Sequence, residues 1–382
     1  MSENSQSGAS RRRAGDVWHS APGESELEID KLFEFLIETD ASDLHISVGL
    51  PPMARIDGEL IPIPDTVVIT PEMSWGLLHG IMSEEQRREF DSEWEIDFSV
   101  GRRGLGRYRV NAFMEKGQAA AAFRRIPDTP PTLEELRLPS VIADLTRLRR
   151  GLILITGPTG SGKTTTLAAM IHRINKERSE HIVTIEDPVE FLHQHDRSIV
   201  QQREVGRDTA HFARALRSAL REDPDVILIG EMRDLETIAA AVSAAETGHL
   251  VLATLHTNSA VQAVDRIIDV FPPNQQTQIR AQLSASLEAV LAQRLVPLAA
   301  GGRVAVVEVL LANDAVRNLI REGKTHQIDT AMQSGVKDGM VLFDKVLADH
   351  VRRGDVAIEV ALRYANDHRG FMRRIGTGVV KL

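Results

Sequence analysis

The stretch Gly157-Pro158-Thr159-Gly160-Ser161-Gly162-Lys163-Thr164 has the residue types and spacing that hold a phosphate. It fits G-x-x-x-x-G-K followed by serine or threonine. Such a turn, set between a strand and a helix, aims successive backbone N–H groups at one anion. Gly160 and Gly162 can adopt angles other residues avoid, and they let the phosphate approach the backbone. Lys163 places a point charge at the β/γ-phosphates, and the Thr164 hydroxyl can hold Mg2+. With Thr165 opening the next helix, residues 157–165 form one binding unit for a nucleoside triphosphate. ATP and Mg2+ are the cofactors this chemistry calls for.

Three further segments offer catalytic groups at ends of expected strands, where ligands bind in open α/β sheets. Ile182-Val183-Thr184-Ile185 runs into Glu186-Asp187-Pro188, so carboxylates emerge where a strand stops. Val226-Ile227-Leu228-Ile229 runs into Gly230-Glu231, a Walker B-like ending with glycine in place of the usual aspartate. A carboxylate there can orient or deprotonate the water that attacks the γ-phosphate. The run from Leu250 to Leu255 carries a histidine near each end, His249 and His256. An imidazole beside the γ-phosphate can sense it through hydrogen bonds. Each segment has a plainer alternative. An acid after a strand also caps the next helix, a reading that stays open for Asp187, and a lone histidine is often a satisfied structural residue. Glu231 reads as catalytic, because strand, glycine and acid follow the lysine within one domain. Upstream, Arg107, Arg109 and Arg124 would ordinarily be solvated strand residues. Phosphoryl transfer, however, needs positive charge on the developing anion, often brought by another domain or subunit.

The elements that must position these groups are readable in outline. Leu152-Ile153-Leu154-Ile155 predicts a buried parallel strand before the phosphate loop, and Thr165 onward a helix. Residues 1–25 are polar, rich in Ser and Gly and without periodicity, which predicts a disordered leader. Residues 26–130 read as a small α+β domain. It has helical spacing at Leu32, Phe33, Phe35 and Leu36, a strand at 43–48, a hairpin turn at Asp57-Gly58, and strands at 106–113 and 119–124. Pro127, Pro130 and Pro131 introduce a connection over 131–145, and strands alternate with helices over 146–382, an open parallel α/β sheet. The 382 residues suffice for two or three domains. A net charge of −9 argues against a nucleic-acid partner, and no apolar run approaches the roughly 18 residues that span a bilayer. The absence of cysteine excludes disulfides and thiolate metal sites and suits a reducing cytosol.

Taken together, GPTGSGKTTT (157–166), TIEDPVEF (184–191), ALREDPDVILIGEMRDLETI (219–238) and TGHLVLATLHTNSA (247–260) resemble the secretion ATPase superfamily of type II secretion and type IV pili. FPPNQQTQIRAQLSASL (271–287), ASDLHIS (41–47) and RYRVNAF (107–113) extend the likeness over about residues 26–375. Two features are similar to the PilT-type retraction branch. Assembly ATPases usually carry a four-cysteine zinc site after a QRL-type helix. Here Leu291-Ala292-Gln293-Arg294-Leu295-Val296-Pro297 passes straight to Ala299-Ala300-Gly301-Gly302. In addition, Ala315-Val316-Arg317-Asn318-Leu319-Ile320-Arg321-Glu322 resembles the AIRNLIRE helix of that branch; packing explains Val316, Leu319 and Ile320 but not Arg317-Asn318.

The resemblance implies a RecA-like P-loop domain behind a smaller PAS-like α+β domain, assembled as a homohexamer. It makes Glu231 the catalytic carboxylate, Glu186 an acid helping with Mg2+ or water, and His249 and His256 residues that couple nucleotide state to domain position. Arg109 and Arg124 match arginines that reach the γ-phosphate. It further implies a cytoplasmic motor peripheral to the inner membrane, docked on a pilus platform protein there, with a second retraction ATPase as a possible partner. Alternatives from the same chemistry are an accessory retraction motor or an assembly motor without its zinc site. A nucleic-acid translocase fits the acidic balance poorly, and a non-hydrolysing scaffold fits the full set of catalytic residue types poorly.

Overall fold

A computed structural model describes residues 28–56, 58–127 and 129–376. The leader expected at 1–25 and Asp57 of the expected hairpin turn lie outside the described residues. The chain divides into two compact units, Met1–Asp128 and Thr129–Leu382.

In the first unit, β1 (Asp43–Ile46), β2 (Met53–Ile56), β3 (Glu59–Pro62), β4 (Glu95–Arg102), β5 (Gly106–Glu115) and β6 (Gln118–Ile126) form one antiparallel sheet. Its strand order is β3-β2-β1-β6-β5-β4. Alternation decides its faces. Tyr108, Val110 and Ala112 of β5 are buried, and Phe33 of helix Ile29–Glu38 stacks on Tyr108 with ring centroids 3.9 Å apart. The other face is polar. There the register sets Arg55, Asp43, Arg124 and Arg109 side by side across four neighbouring strands. This is the smaller α+β unit that the alternating strands predict.

The second unit holds β7 (Gly151–Thr156), β8 (His181–Glu186), β9 (Ile199–Glu204), β10 (Val226–Ile229), β11 (Leu250–Leu255), β12 (Leu287–Pro297) and β13 (Arg303–Leu311). The order is β13-β12-β7-β11-β10-β8-β9, parallel except for the β12–β13 pair. Helices cover both faces, so β7 and β11 are buried along their whole length and read as unbroken apolar runs. One face packs on helix Lys163–Glu177, with Ile153, Ile155, Leu167, Met170 and Ile171. The other packs on Leu235–Glu246, Ala260–Asp269 and Pro273–Ser286, with Leu152, Leu154, Ile238, Val264 and Leu283. This is the doubly wound, RecA-like arrangement.

Two expectations change. The segment 291–297, compared above with a helix, is part of strand β12, because Leu291 packs into one face of the sheet and Val290 into the other. The connection expected at 131–145 is packed into the second unit, where Leu133, Ile142 and Leu145 join its core and Val141–Leu145 forms a short helix.

Candidate nucleotide site

The phosphate loop leaves β7 after Thr156 and reaches the helix at Lys163, turning through Gly160 (φ +75°) and Gly162 (φ +85°). A side chain at Gly157 would put its Cβ 2.2 Å from the Gln293 carbonyl oxygen, and one at Gly162 would meet Gln293 Nε2 at 2.8 Å. The loop is thus pressed against β12, and Gln293 fastens it. Its Nε2 donates to Ser161 O at 2.8 Å, and its Oε1 accepts from the Thr166 hydroxyl at 2.8 Å. The Lys163 ammonium donates to the Gly157 and Pro158 carbonyls at 2.8 and 3.1 Å. Burial holds Lys163 below the usual lysine pKa, with Glu231 and Glu190 pulling the other way. The Ser161 hydroxyl is buried and finds no partner among the described residues. Glycine backbone with no room for a Cβ, a buried cation and an unsatisfied hydroxyl together fit a phosphate.

Beside the loop, β8 and β10 pair in parallel, with Ile185 opposite Ile229. The Gly230 N–H donates to Ile185 O at 2.8 Å, and a Cβ at 230 would lie 3.2 Å from Glu186 Cα. That crowding accounts for glycine where an aspartate is usual, and it leaves Glu231 as the carboxylate. Both Glu231 oxygens are held: Arg233 Nε lies 2.7 Å from Oε1, and His256 Nε2 lies 3.5 Å from Oε2. The Thr254 hydroxyl donates to Gly230 O. The Thr257 N–H donates to Thr156 Oγ1 at 2.9 Å, which ties the segment after β11 to the root of the phosphate loop. Lys163, Glu231 and His256 therefore gather at the carboxyl edge of the sheet. A carboxylate held by a cation and an imidazole can orient a water against a phosphoryl group.

Glu186 behaves differently. It is buried, and burial pushes its pKa up to about 7, against hydrogen bonds from Thr184 (2.6 Å) and Gln202 (3.2 Å). Burial thus makes the Glu186 carboxyl easier to protonate than an exposed glutamate, while Thr184 and Gln202 both donate to one of its oxygens.

His249 requires a correction. It precedes β11, so it lies at the amino edge of the sheet, where its carbonyl accepts from the Gly151 N–H at 3.0 Å. Six residues of extended strand, roughly 20 Å, separate it from His256. Its Nδ1 is 2.9 Å from Ala244 O, a local structural bond. The structure does not bring it to the phosphate loop.

Arg109 and Arg124 belong to the first unit, directly opposite each other on β5 and β6. Arg124 Nε donates to Asp43 Oδ1 at 2.9 Å, and Arg109 Nε lies 4.0 Å from Asp97 Oδ1. Both guanidinium groups are largely exposed.

Sequence reasoning had not singled out Gln293, whose side chain is the phosphate loop's brace. A cavity of about 380 Å³ opens beside Gly162, Thr165 and Thr166, lined also by Leu136, Arg137, Leu295, Leu298 and Arg303.

A family model described as type II/IV secretion system protein matches residues 137–301. The chain is 47% identical to the type IV pilus retraction ATPase PilT of Pseudomonas aeruginosa, over 90% of this chain and 100% of that protein. It is 45% identical to the type IV pilus ATPase PilU of the same organism, covering 89% of each. Among solved structures, the pilus retraction motor PilT with bound ADP superposes with a TM-score of 0.85 at 46% identity, covering 91% of this chain and 100% of that one.

Proposed function

The chain belongs to the type II/IV secretion ATPases, in their PilT-type retraction branch, and we propose that it is a homohexameric motor that hydrolyses ATP to withdraw a type IV pilus. One observation carries this reading: the Glu231 carboxylate, held by Arg233 and His256 at the sheet edge where the phosphate loop opens. In this reading residues 157–165 cradle the phosphates, and the 380 Å³ cavity beside Thr165 receives the nucleoside. Lys163 exchanges its two carbonyl partners for phosphate oxygens. Glu231 orients the attacking water and takes its proton, and His256 registers the arrangement. Arg109 and Arg124 offset negative charge as the terminal phosphoryl group leaves.

Among the described residues no three His, Cys, Asp or Glu side chains converge on a metal position. Mg2+ would accordingly be held by the Thr164 hydroxyl and the nucleotide's own phosphates, a ligand set that suits it. Bound there, it would neutralise charge on the phosphates.

Among the described residues no helix is long and apolar enough to cross a membrane. In this reading the motor works in the cytoplasm, docked on an inner-membrane platform protein, with a PilU-like second ATPase as a companion. The test joins two measurements. Purified protein must hydrolyse ATP, and a strain lacking the gene must carry surplus, non-retracting pili. A strain without pili would make the chain an assembly motor, and one with only weakened retraction would make it the accessory motor.

A further inference from the structure

Gln293 and Arg294 are consecutive on β12, so their side chains leave opposite faces of the sheet. Gln293 grips the phosphate loop, as described. Arg294 grips something else. Its Nη2 donates to Asn258 O at 3.1 Å and to Asn366 Oδ1 at 2.9 Å, and its Nη1 donates to Tyr364 O at 2.8 Å. The guanidinium also lies over the Phe343 ring, 4.6 Å from its centroid. Asn258 is two residues beyond His256. Tyr364 and Asn366 belong to the C-terminal helical region, whose turn is pinned by Asp344 through the Asn366 and Asp367 N–H groups at 2.8 and 2.9 Å. One planar cation thus joins the segment that carries His256 to the C-terminal helices. Its neighbour in sequence holds the loop that would carry the phosphates.

We infer that Arg294 is a positioning residue: it sets His256 against Glu231 and passes the state of that segment to the helices at 343–375. The inference rests on the ATPase reading above. Arginine is required because it alone offers a rigid fork with several donors, together with a flat face for the aromatic ring. Lysine would keep the charge, but its single nitrogen cannot stand at the positions of both Nη1 and Nη2.

The test uses the full chain with Arg294→Lys and Arg294→Ala. Misplacing a catalytic group by about an ångström costs roughly tenfold to a hundredfold in turnover. We expect kcat to fall by that factor in both variants while the Kd for ATP stays within about threefold, since Gln293 still braces the phosphate loop. Because Arg294 acts through His256, adding Arg294→Lys to His256→Ala should cost little more than His256→Ala alone. In hydrogen exchange, ATP should change protection at 364–368 in the wild type and not in Arg294→Lys. Additive losses in the double variant would overturn the inference, as would wild-type turnover or an intact exchange response in Arg294→Lys. Should Arg294→Ala fail to fold, Arg294→Lys alone decides. A wild-type protein that neither binds nor hydrolyses ATP would instead sink the ATPase reading, which separates the two failures.

Discussion

Replacing Glu186 with glutamine should stabilise the second unit in alkali and leave it unchanged in acid. The Glu186 side chain ends β8 in the buried interior, and burial raises its carboxyl from the ordinary 4.5 to about 7. Between those values the folded chain keeps a proton that the unfolded chain has released, so stability falls as pH rises through that window. The gap corresponds to about 3 kcal/mol, absent below pH 4.5 and fully felt above about 7. Glutamine has the same shape and can still accept from Thr184, but it carries no charge to bury. At roughly 2–4 °C per kcal/mol for a unit of this size, Glu186→Gln should melt roughly 6–12 °C higher than wild type in alkali. The assay is thermal unfolding of both proteins at about pH 5 and about pH 8.5. An equal difference at the two pH values, or a less stable variant in alkali, would refute the argument. In that case the carboxylate is charged and compensated in the folded chain.

Glu231→Gln should abolish ATP turnover and preserve ATP binding, because the amide keeps the shape but loses the base; Lys163→Ala should weaken binding itself, and equilibrium binding beside a phosphate-release assay reads both. Arg109→Ala or Arg124→Ala should cut turnover on the order of a thousandfold with little change in ATP affinity, and a near-wild-type rate in either single variant would release that arginine from the role. Arg317→Ala should destabilise the second unit by about 1–3 kcal/mol in thermal unfolding, since its guanidinium serves Ser284 O, Ala285 O and Glu288. Asn318 is exposed, so Asn318→Ala should leave melting and ATPase activity unchanged while stopping retraction in cells, and normal retraction would reduce that residue to a surface side chain.

The phosphate loop was legible because its chemistry leaves few alternatives. Gly157 and Gly162 have no room for a Cβ, and the flanking strand and helix declare themselves by apolar pattern. Glu231 was legible for a similar reason, as an acid emerging from an apolar strand. His249 was misread although the signal existed. Ligands sit at the carboxyl ends of parallel strands, and a histidine before the strand is at the wrong end. Gln293 gave no such signal. A glutamine inside an apolar strand announces nothing until the fold brings its partners, 127 and 132 residues away in sequence, to either end of one carboxamide. The same strand was likened to a helix only through the family resemblance, not through its own pattern, and its side chains enter both faces of the sheet.

The misplaced histidine shows how the second unit separates its tasks. At the amino edge of the sheet, His249 O accepts from Gly151, and Gly151 lies so close to Glu288 that a Cβ there would come within 2.4 Å of its Cγ. Glu288 Oε1 in turn accepts from Arg317 at 2.9 Å. Arg317 also donates to the carbonyls of Ser284 and Ala285, groups that the end of helix Pro273–Ser286 would otherwise leave unsatisfied. Its helix, Asp314–Arg321, is thereby fixed to β12 and, through Glu288, set beside Gly151 at the base of β7, which His249 O links to β11. The same two strands carry the phosphate loop and His256 at their other ends. Both are fully buried and hydrogen-bonded to each other along their length, so they form a stiff span between the two edges. A residue such as Asn318 can therefore be varied without touching the chemistry, whereas any shift of β7 or β11 moves both edges together.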